Sequence, residues 1–304
     1  MSAISVSQLC KSYDDRQAVN DLSFEVQKGE TFALLGPNGA GKTTTIEILE
    51  GYRKADSGSI SVLGLNPLQD AAELKRRICL VLQTTALEPE LTILESLSAF
   101  ARLYDTPRDI ETVLQDVNLS HLRTNRVGNL SGGQKRRLEI ALGIIGDPEL
   151  LFLDEPTTGL DPEARRKIWT LIHGLAEGGC TIVLSSHYMD EVQALANRMA
   201  IMVNGQIAAE GRPLELQRRH CTQATIRFEV GDKLPHGFPA RLVAETAVND
   251  GYAELVAEDP THALSVLTGW AQDTGYDLSS ISVVRQSLED IYLQLVSQRL
   301  DDLP

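Results

Sequence analysis

The chain has 304 residues, of which 42% are hydrophobic and 23% charged, and this length and composition predict a globular protein with one large domain and a smaller one. The formal net charge of −14 argues against a protein that wraps nucleic acid by neutralising its phosphates, so we expect no nucleic-acid partner. No stretch approaches 18 apolar residues, and the first residues lack a basic segment followed by an apolar one, so we expect a chain that is neither secreted nor membrane-spanning by itself.

The first two-thirds of the chain predict an α/β architecture. Residues 4–9 and 19–26 are alternating or β-branched and flank a turn-like segment at 13–16, which predicts an antiparallel pair of strands. Five short apolar runs follow, and each predicts a strand buried on both faces, with helices between the strands, as in a parallel sheet. These runs span residues 31–36, 78–83, 150–155, 181–186 and 199–203.

Helix signals alone fill the stretch between the second and third of these runs. The segments 91–104, 109–117 and 134–145 each carry the helical spacing of apolar residues. We therefore expect a helical subdomain over about 84–146, inserted into an α/β domain over residues 1–215.

The end of the chain predicts a separate, smaller domain over 216–304. Short strands at 225–230, 241–246 and 252–257 alternate with two helices, the last of which begins after a Ser287 cap. Residues 221–304 contain five Lys or Arg and thirteen Asp or Glu, so −8 of the net charge of −14 lies there. The pattern indicates an accessory α+β domain with an acidic surface.

A phosphate-binding loop is predicted between the strand at 31–36 and a helix that starts near Thr44. The run matches the pattern G-x-x-x-x-G-K-[ST] and consists of Gly36, Pro37, Asn38, Gly39, Ala40, Gly41, Lys42 and Thr43. Its glycines allow backbone N–H groups to converge on a phosphate, and the positive end of the following helix faces the same anion. We expect Lys42 to reach the β- and γ-phosphates of ATP and Thr43 to bind Mg²⁺, and we count Thr44 among the ATP-binding residues.

Two carboxylates end the buried strand at 150–155. Because the carboxyl ends of parallel strands share one edge of a sheet, Asp154 can hold Mg²⁺ through water beside the phosphate loop. Glu155, one residue further, is placed to orient or deprotonate an attacking water. The alternative, that both acids simply end a strand at the surface, is disfavoured because two phosphate-handling motifs occur together and in the right order.

The sequence LSGGQ lies between these two motifs, and its last four residues are Ser131, Gly132, Gly133 and Gln134. A serine cap and two glycines at a helix N-terminus make a second anion cradle. With the motifs above, LSGGQ resembles the signature of ABC-type ATPases, and residues 1–215 are similar to an ABC transporter nucleotide-binding subunit. The resemblance implies a head-to-tail homodimer, in which the signature of one subunit closes on the ATP held by the other.

Smaller motifs of that family also match this chain. Gln83 lies where the family's Q-loop belongs and is expected to join the magnesium ligands, and Asp161 lies in a segment that resembles the D-loop. His187 ends a predicted strand as the family's switch histidine does, and Tyr13 sits where its adenine-stacking aromatic sits. Taken singly, each of these residues could have only a structural role. Their occurrence together, at the positions where the family's motifs lie, disfavours that alternative.

The resemblance extends to one group of exporters. The C-terminal sequence SLEDIYLQLV, with TTGLDP and GYRKADSGSISVLG, is similar to the ATPase subunits of ABC-2-type drug and antibiotic exporters. It implies a P-loop NTPase of ABC type in which Lys42, Glu155 and His187 are catalytic. Hydrolysis of Mg-ATP would drive export through separate ABC-2-type membrane permease subunits. We therefore expect a cytoplasmic protein, peripheral on the cytoplasmic face of the inner membrane.

Three other functions compete with this interpretation. A soluble ABC-type ATPase acting on ribosomes or DNA is disfavoured, because only one phosphate-loop motif occurs and the 89 residues from Lys42 to Ser131 contain no CxxC zinc motif. The ATPase subunit of an ABC importer remains open, since such subunits often carry a regulatory C-terminal domain. A scaffold without enzymatic activity is disfavoured by the intact Glu155.

Overall fold

The computed structural model of the protein describes residues 2–14, 16–82, 87–220, 224–243, 245–278, 280–285 and 287–301. These residues form two compact units, one that extends to Pro213 and one over Leu214–Asp301. Each unit has a hydrophobic core of its own. Within the described ranges, helices that combine bilayer-spanning length with high hydropathy are absent.

The first unit contains two β-sheets and the helices that connect their strands. Its strands are β1 (Ser2–Tyr13), β2 (Arg16–Gln27), β3 (Thr31–Leu35), β4 (Ser57–Val62), β5 (Ile78–Val81), β6 (Leu150–Asp154), β7 (Thr181–Ser186), β8 (Arg198–Val203) and β9 (Gln206–Gly211). Its helices are α1 (Lys42–Leu49), α2 (Ala71–Leu74), α3 (Ile93–Ala101), α4 (Ile110–Asp116), α5 (Gly132–Ile144), α6 (Pro162–Glu177) and α7 (Met189–Leu195), with 3₁₀ turns at Ser120–Leu122 and Val127–Asn129.

An antiparallel sheet begins the chain, in the order β2-β1-β4. Val6 of β1 lies opposite Phe24 on one side and Ile60 on the other. Leu22, Phe24 and Val26 alternate into the core, as the period of two in a half-buried strand requires. The two predicted N-terminal strands are confirmed, and β4 is a third strand that the sequence analysis did not include.

The second sheet has the order β5-β6-β7-β3-β8-β9. Its first five members in this order run parallel, which confirms the five predicted strands. The edge strand β5 is buried only in part, at Ile78 and Val81. β9 was not predicted and runs antiparallel to β8, because the Asn204-Gly205 turn, with φ of 51° and 77°, joins them as a tight hairpin. All residues of β9 are only half-buried, so its apolar signal is weak.

The order of these strands decides where the functional loops meet. β6, β7 and β3 are neighbours, and their parallel pairing places their carboxyl ends at one edge of the sheet. The phosphate-loop motif follows β3, while β6 ends at Asp154 and β7 ends at Ser186. Three segments that the sequence marked separately therefore converge on this edge.

Helices α3, α4 and α5 lie between β5 and β6 in the chain, as the helix signals predict. Thr92 caps α3 in a capping box with Glu95, and Asp109 caps α4. Both helices pack against α5. The three predicted helical segments are confirmed.

The second unit is built around an antiparallel sheet. Its elements are α8 (Pro213–His220), which leads into the unit, β10 (Ala224–Glu229), α9 (Ala240–Val243), β11 (Thr246–Asn249), β12 (Tyr252–Ala257), α10 (Pro260–Thr274), β13 (Ser282–Arg285) and α11 (Leu288–Asp301). The sheet order is β11-β12-β10-β13. Its core includes Phe228 from β10 and Leu267 and Trp270 from α10. Ser287 exchanges hydrogen bonds with Asp290 at the start of α11, which confirms the predicted cap.

The strand predicted at 241–246 is wrong. Helix α9 occupies the first of these residues, and β11 begins only at the last of them. The carbonyl of Pro239 accepts a hydrogen bond from the backbone N–H of Leu242. Phe238 and Leu242, four residues apart, both enter the core. A helical turn brings these two apolar side chains together on one side, and their burial outweighs the strand preference of the neighbouring residues.

Candidate functional site

The phosphate-loop motif connects the buried end of β3 to the first turn of α1. Gly39 and Gly41 have φ of 79° and 102°, values that favour glycine. A Cβ on Gly41 would lie 2.2 Å from the carbonyl oxygen of Ala18, and one on Gly36 would lie 2.4 Å from that of Met202. Close backbone packing therefore requires these glycines and fixes the loop at a helix N-terminus, where an anion is favoured.

Lys42 is the first residue of α1 and is 6% exposed. Its Nζ donates to the carbonyl oxygens of Gly36 (2.7 Å) and Pro37 (3.1 Å). Burial lowers the pKa of Lys42, while the carboxylates of Glu155 and Asp154 act in the opposite direction. The ammonium thus lies across the loop on neutral acceptors, which a charged phosphate oxygen can replace. The other predicted loop residues lie in the turn before α1 (Asn38, Gly39, Ala40) and in its first turn (Thr43, Thr44).

Asp154 and Glu155 stand at the end of β6 and are held by β7. The hydroxyl of Ser185 donates to Asp154 Oδ1, and the Glu155 backbone N–H donates to the hydroxyl and carbonyl oxygens of Ser185, both at 3.2 Å. Glu155 has a φ of 46°, a left-handed conformation that is uncommon outside glycine. Its Oε2 accepts from the Thr158 hydroxyl at 3.1 Å, and its Oε1 lies 3.2 Å from Nδ1 of His187. The Glu155 carboxylate is therefore fixed between two neighbouring segments.

The oxygen donors expected at Mg²⁺ come together in part. Thr43 and Asp154 line one cavity of about 610 Å³. Mg²⁺ prefers such hard oxygen ligands, completed by water and substrate phosphates, so this donor set fits the ion. Gln83, the third expected ligand, lies outside the described residues. Within the described part of the chain, three or more His, Cys, Asp or Glu side chains do not cluster into a protein-only metal site.

The signature serine caps helix α5. Ser131 Oγ accepts from the Gln134 N–H at 3.3 Å, and Gln134 Oε1 accepts from the Ser131 N–H at 2.8 Å, so the glutamine shapes the cap. A Cβ on Gly133 would lie 2.8 Å from Cβ of Ala164, because the start of α5 packs closely against the start of α6. Asp161 caps α6 by accepting two backbone N–H groups. The signature and the predicted D-loop residue thus adjoin within one chain.

Tyr13 ends strand β1 and is 36% exposed. Lys11 Nζ lies 5.5 Å from the centre of its ring, and Arg53 Cζ lies 5.1 Å from it. An exposed aromatic ring beside two cations suits a nucleotide, which offers a base for stacking and phosphates for the charges.

Arg136, which the sequence analysis did not single out, links the helical insertion to the edge of the sheet that carries the carboxylates. It is 6% exposed and donates to the carbonyl oxygens of Pro156 (2.8 Å), Asp154 (3.0 Å) and Leu82 (2.5 Å). Its charge is paired with a carboxylate one turn further along α5. The sequence signal for Arg136 was its place among the residues of α5 that are buried. Its basic neighbours Lys135 and Arg137 made the segment resemble an ordinary exposed helix face.

Known proteins resemble the chain in sequence and in structure. The ABC transporter family matches residues 19–158. The Nod factor export ATP-binding protein I of Rhizobium meliloti is 39% identical over 311 residues, covering 99% of this chain and 90% of that protein. Its namesake in Burkholderia thailandensis is 35% identical and covers 99% of both chains. Among solved structures, cbiO1 of Clostridium perfringens, part of an ABC transporter complex, is 28% identical with a TM-score of 0.66, covering 71% of this chain and 90% of that one.

Proposed function

Because the chain belongs to the ATP-binding subunits of ABC exporters, ATPases that power transport, we propose that two copies close head to tail around two Mg-ATP and drive export through ABC-2-type permeases. Subunits of this family bind ATP and work with membrane permease subunits. The observation that carries the proposal is the edge where β3, β6 and β7 end. There the phosphate loop, Asp154 and the Glu155–His187 contact of 3.2 Å lie on neighbouring strands.

Each group at this edge has a chemical role in the proposal. Lys42 and the loop N–H groups bind the β- and γ-phosphates. Glu155 accepts the proton of the attacking water, and His187 holds the γ-phosphate. Mg²⁺, when bound by Thr43 and Asp154, neutralises charge on the phosphate oxygens. Tyr13 stacks on the adenine.

The second anion cradle supports the dimer. A single ATP needs one γ-phosphate cradle, whereas this chain has the phosphate loop and also the N-terminus of the 13-residue helix α5. The Ser131 oxygen accepts the helix N–H, so its hydroxyl hydrogen can be donated to a phosphate oxygen. We assign Ser131, Gly132 and Gly133 to the ATP of a second copy, with Gln134 shaping their cap and Asp161 beside them.

The cavity lined by Thr43 and Asp154 supports coupling to a permease. Its walls carry exposed apolar side chains, since Tyr52 is 78% exposed and Leu82 is 49% exposed. Arg136 binds the carbonyl oxygens of both Leu82 and Asp154, so a membrane-subunit segment that displaces Leu82 would also move the catalytic edge. We assign this face to the permease and place the protein at the cytoplasmic face of the inner membrane. The export names of the relatives favour export over import.

Two variants test the proposal against wild-type protein. Glu155→Gln keeps the shape of the side chain and removes the proton acceptor, so ATP hydrolysis should fall about 10²- to 10⁴-fold while ATP still binds. This variant should elute as a dimer from a size-exclusion column only when Mg-ATP is present. Lys42→Ala should lose ATP binding, because the cation aimed at the phosphates is removed. Glu111→Gln makes the same chemical change on α4, where the side chain is 47% exposed, and serves as the matched control.

Each outcome bears on a different part of the proposal. Normal hydrolysis by Glu155→Gln would contradict its role as the proton acceptor. A Glu155→Gln variant that binds ATP but stays monomeric would contradict the head-to-tail dimer. Wild-type affinity for ATP in Lys42→Ala would contradict the phosphate-loop assignment.

A further inference from the structure

A buried carboxylate on α7 joins three segments around the site. Glu191 has no exposed surface. Its Oε1 accepts from the Thr157 hydroxyl at 2.7 Å and from Trp169 Nε1 at 3.3 Å, and its Oε2 accepts from the Ser186 hydroxyl at 2.6 Å. The donors come from the loop after β6, from α6 and from the end of β7. One side chain therefore binds three parts of the fold that are separate in sequence.

Two of these donors lie next to the proposed catalytic residues. Thr157 follows Glu155 by two positions, and Ser186 immediately precedes His187. The Ser186 oxygen also accepts the backbone N–H of the residue after His187, at 3.0 Å, so the backbone is held on both sides of the histidine. Glu191 thus fixes the two loops whose side chains meet at 3.2 Å.

The hydrogen bonding is complementary to a carboxylate. Burial raises the pKa of Glu191, while the hydrogen bonds from Ser186, Thr157 and Trp169 act in the opposite direction. Three donors converge on two acceptor oxygens, which suits a carboxylate and is matched only partly by an amide. Truncation of the side chain would leave the three donors without their acceptor in a buried site.

We propose that Glu191 is a positioning residue that holds Glu155 and His187 in the relative placement that hydrolysis needs. This inference rests on the roles proposed above for those two residues. Glu191 does not touch ATP in this assignment, so its loss should lower kcat and leave the KM for ATP nearly unchanged. A displacement of about 1 Å between reacting groups reduces rate by about 10²-fold.

The experiment compares Glu191→Ala, Glu191→Gln and Thr157→Val with wild-type protein. We expect kcat to fall about 100-fold in Glu191→Ala, with KM for ATP within about threefold of wild type. Glu191→Gln should recover much of the rate, because its amide oxygen accepts from Thr157 and Trp169 and its NH₂ donates to the Ser186 oxygen. Thr157→Val removes one donor at constant shape and should lower kcat by a smaller factor, again without a change in KM.

Tryptophan fluorescence reports the hydrogen-bonded group directly. The chain has two tryptophans, so in a Trp270→Phe background the emission comes from Trp169 alone. Glu191→Ala should shift this emission, since the indole N–H loses its acceptor, while Glu155→Gln should leave it unchanged. Asp190→Asn, in which the adjacent acid loses its ion pair with Arg165, is the matched control and should keep wild-type kcat.

The results separate this inference from the proposed function. A kcat within about threefold of wild type in folded Glu191→Ala, or a rise in KM that accounts for the loss of activity, would overturn the positioning role. If Glu191→Ala does not fold, the other two variants decide, and a wild-type kcat in Thr157→Val would overturn it. Normal hydrolysis by Glu155→Gln in the same assay would instead refute the catalytic assignment on which the inference rests.

Discussion

Replacing Glu50 with glutamine should change how the stability of the first unit depends on pH. Glu50 follows the last turn of α1, is 8% exposed and lines the same cavity as Asp154. Among the described residues, its Oε1 has no hydrogen-bond partner. Burial, with the nearby carboxylates of Asp154 and Glu47, raises the pKa of Glu50 from 4.5 to about 8. The folded protein therefore holds this group in its neutral form at pH 7.

The size of the effect follows from the two pKa values. Between pH 4.5 and about 8, the unfolded chain has released the Glu50 proton and the folded chain has kept it. The stability that this group contributes is therefore complete below pH 4.5, falls by about 1.4 kcal/mol per pH unit, and is lost as the pH rises through about 8. From about pH 5.5 to about pH 7.5 the wild type should lose about 2–3 kcal/mol of unfolding free energy through Glu50. Glu50→Gln resembles the protonated acid in shape and has no proton to release.

Urea denaturation across this pH range measures the difference. Trp169 fluorescence in a Trp270→Phe background reports the unfolding of the first unit. The stability of Glu50→Gln relative to the wild type should rise by about 1.4 kcal/mol per pH unit, and any fixed penalty for burying the amide shifts this line without changing its slope. Parallel pH curves for the two proteins would refute the reasoning.

Two further changes test the packing around the site and the division of the chain. Arg136→Lys keeps the charge but cannot reach the carbonyl oxygens of Pro156, Asp154 and Leu82 together, so ATPase activity should fall about tenfold and the unfolding free energy by about 2–4 kcal/mol. Thermal melting and ATPase assays measure both effects, and wild-type values would contradict the linking role of Arg136. Truncation after Pro213 removes a unit with its own core, so affinity for a fluorescent ATP analogue should stay within about threefold of that of the full chain. Loss of ATP binding in a folded truncated protein would show that the second unit belongs to the site.

Local patterns in the sequence were sufficient for most elements and for the motifs. A strand buried on both faces appears as an apolar run, as at 150–155, and the phosphate loop appears as glycines whose backbone angles and close contacts permit no side chain. These signals lie within a few consecutive residues. The prediction at 241–246 failed because the neighbouring side chains of Phe238 and Leu242 share a core contact, which outweighed the local strand preference.

Tertiary structure alone decided which segments meet. Arg136 binds carbonyl oxygens 18 and 54 positions away, at Asp154 and Leu82, and Glu191 accepts from Thr157, 34 positions earlier. These pairings depend on the strand order β6-β7-β3 and on the place where the helical insertion packs against the sheet. Periodicity in the sequence indicates which side of an element is buried. The partner of a buried polar group depends instead on which elements enclose it, because the group must find its hydrogen bonds among the side chains and backbone that the fold brings there.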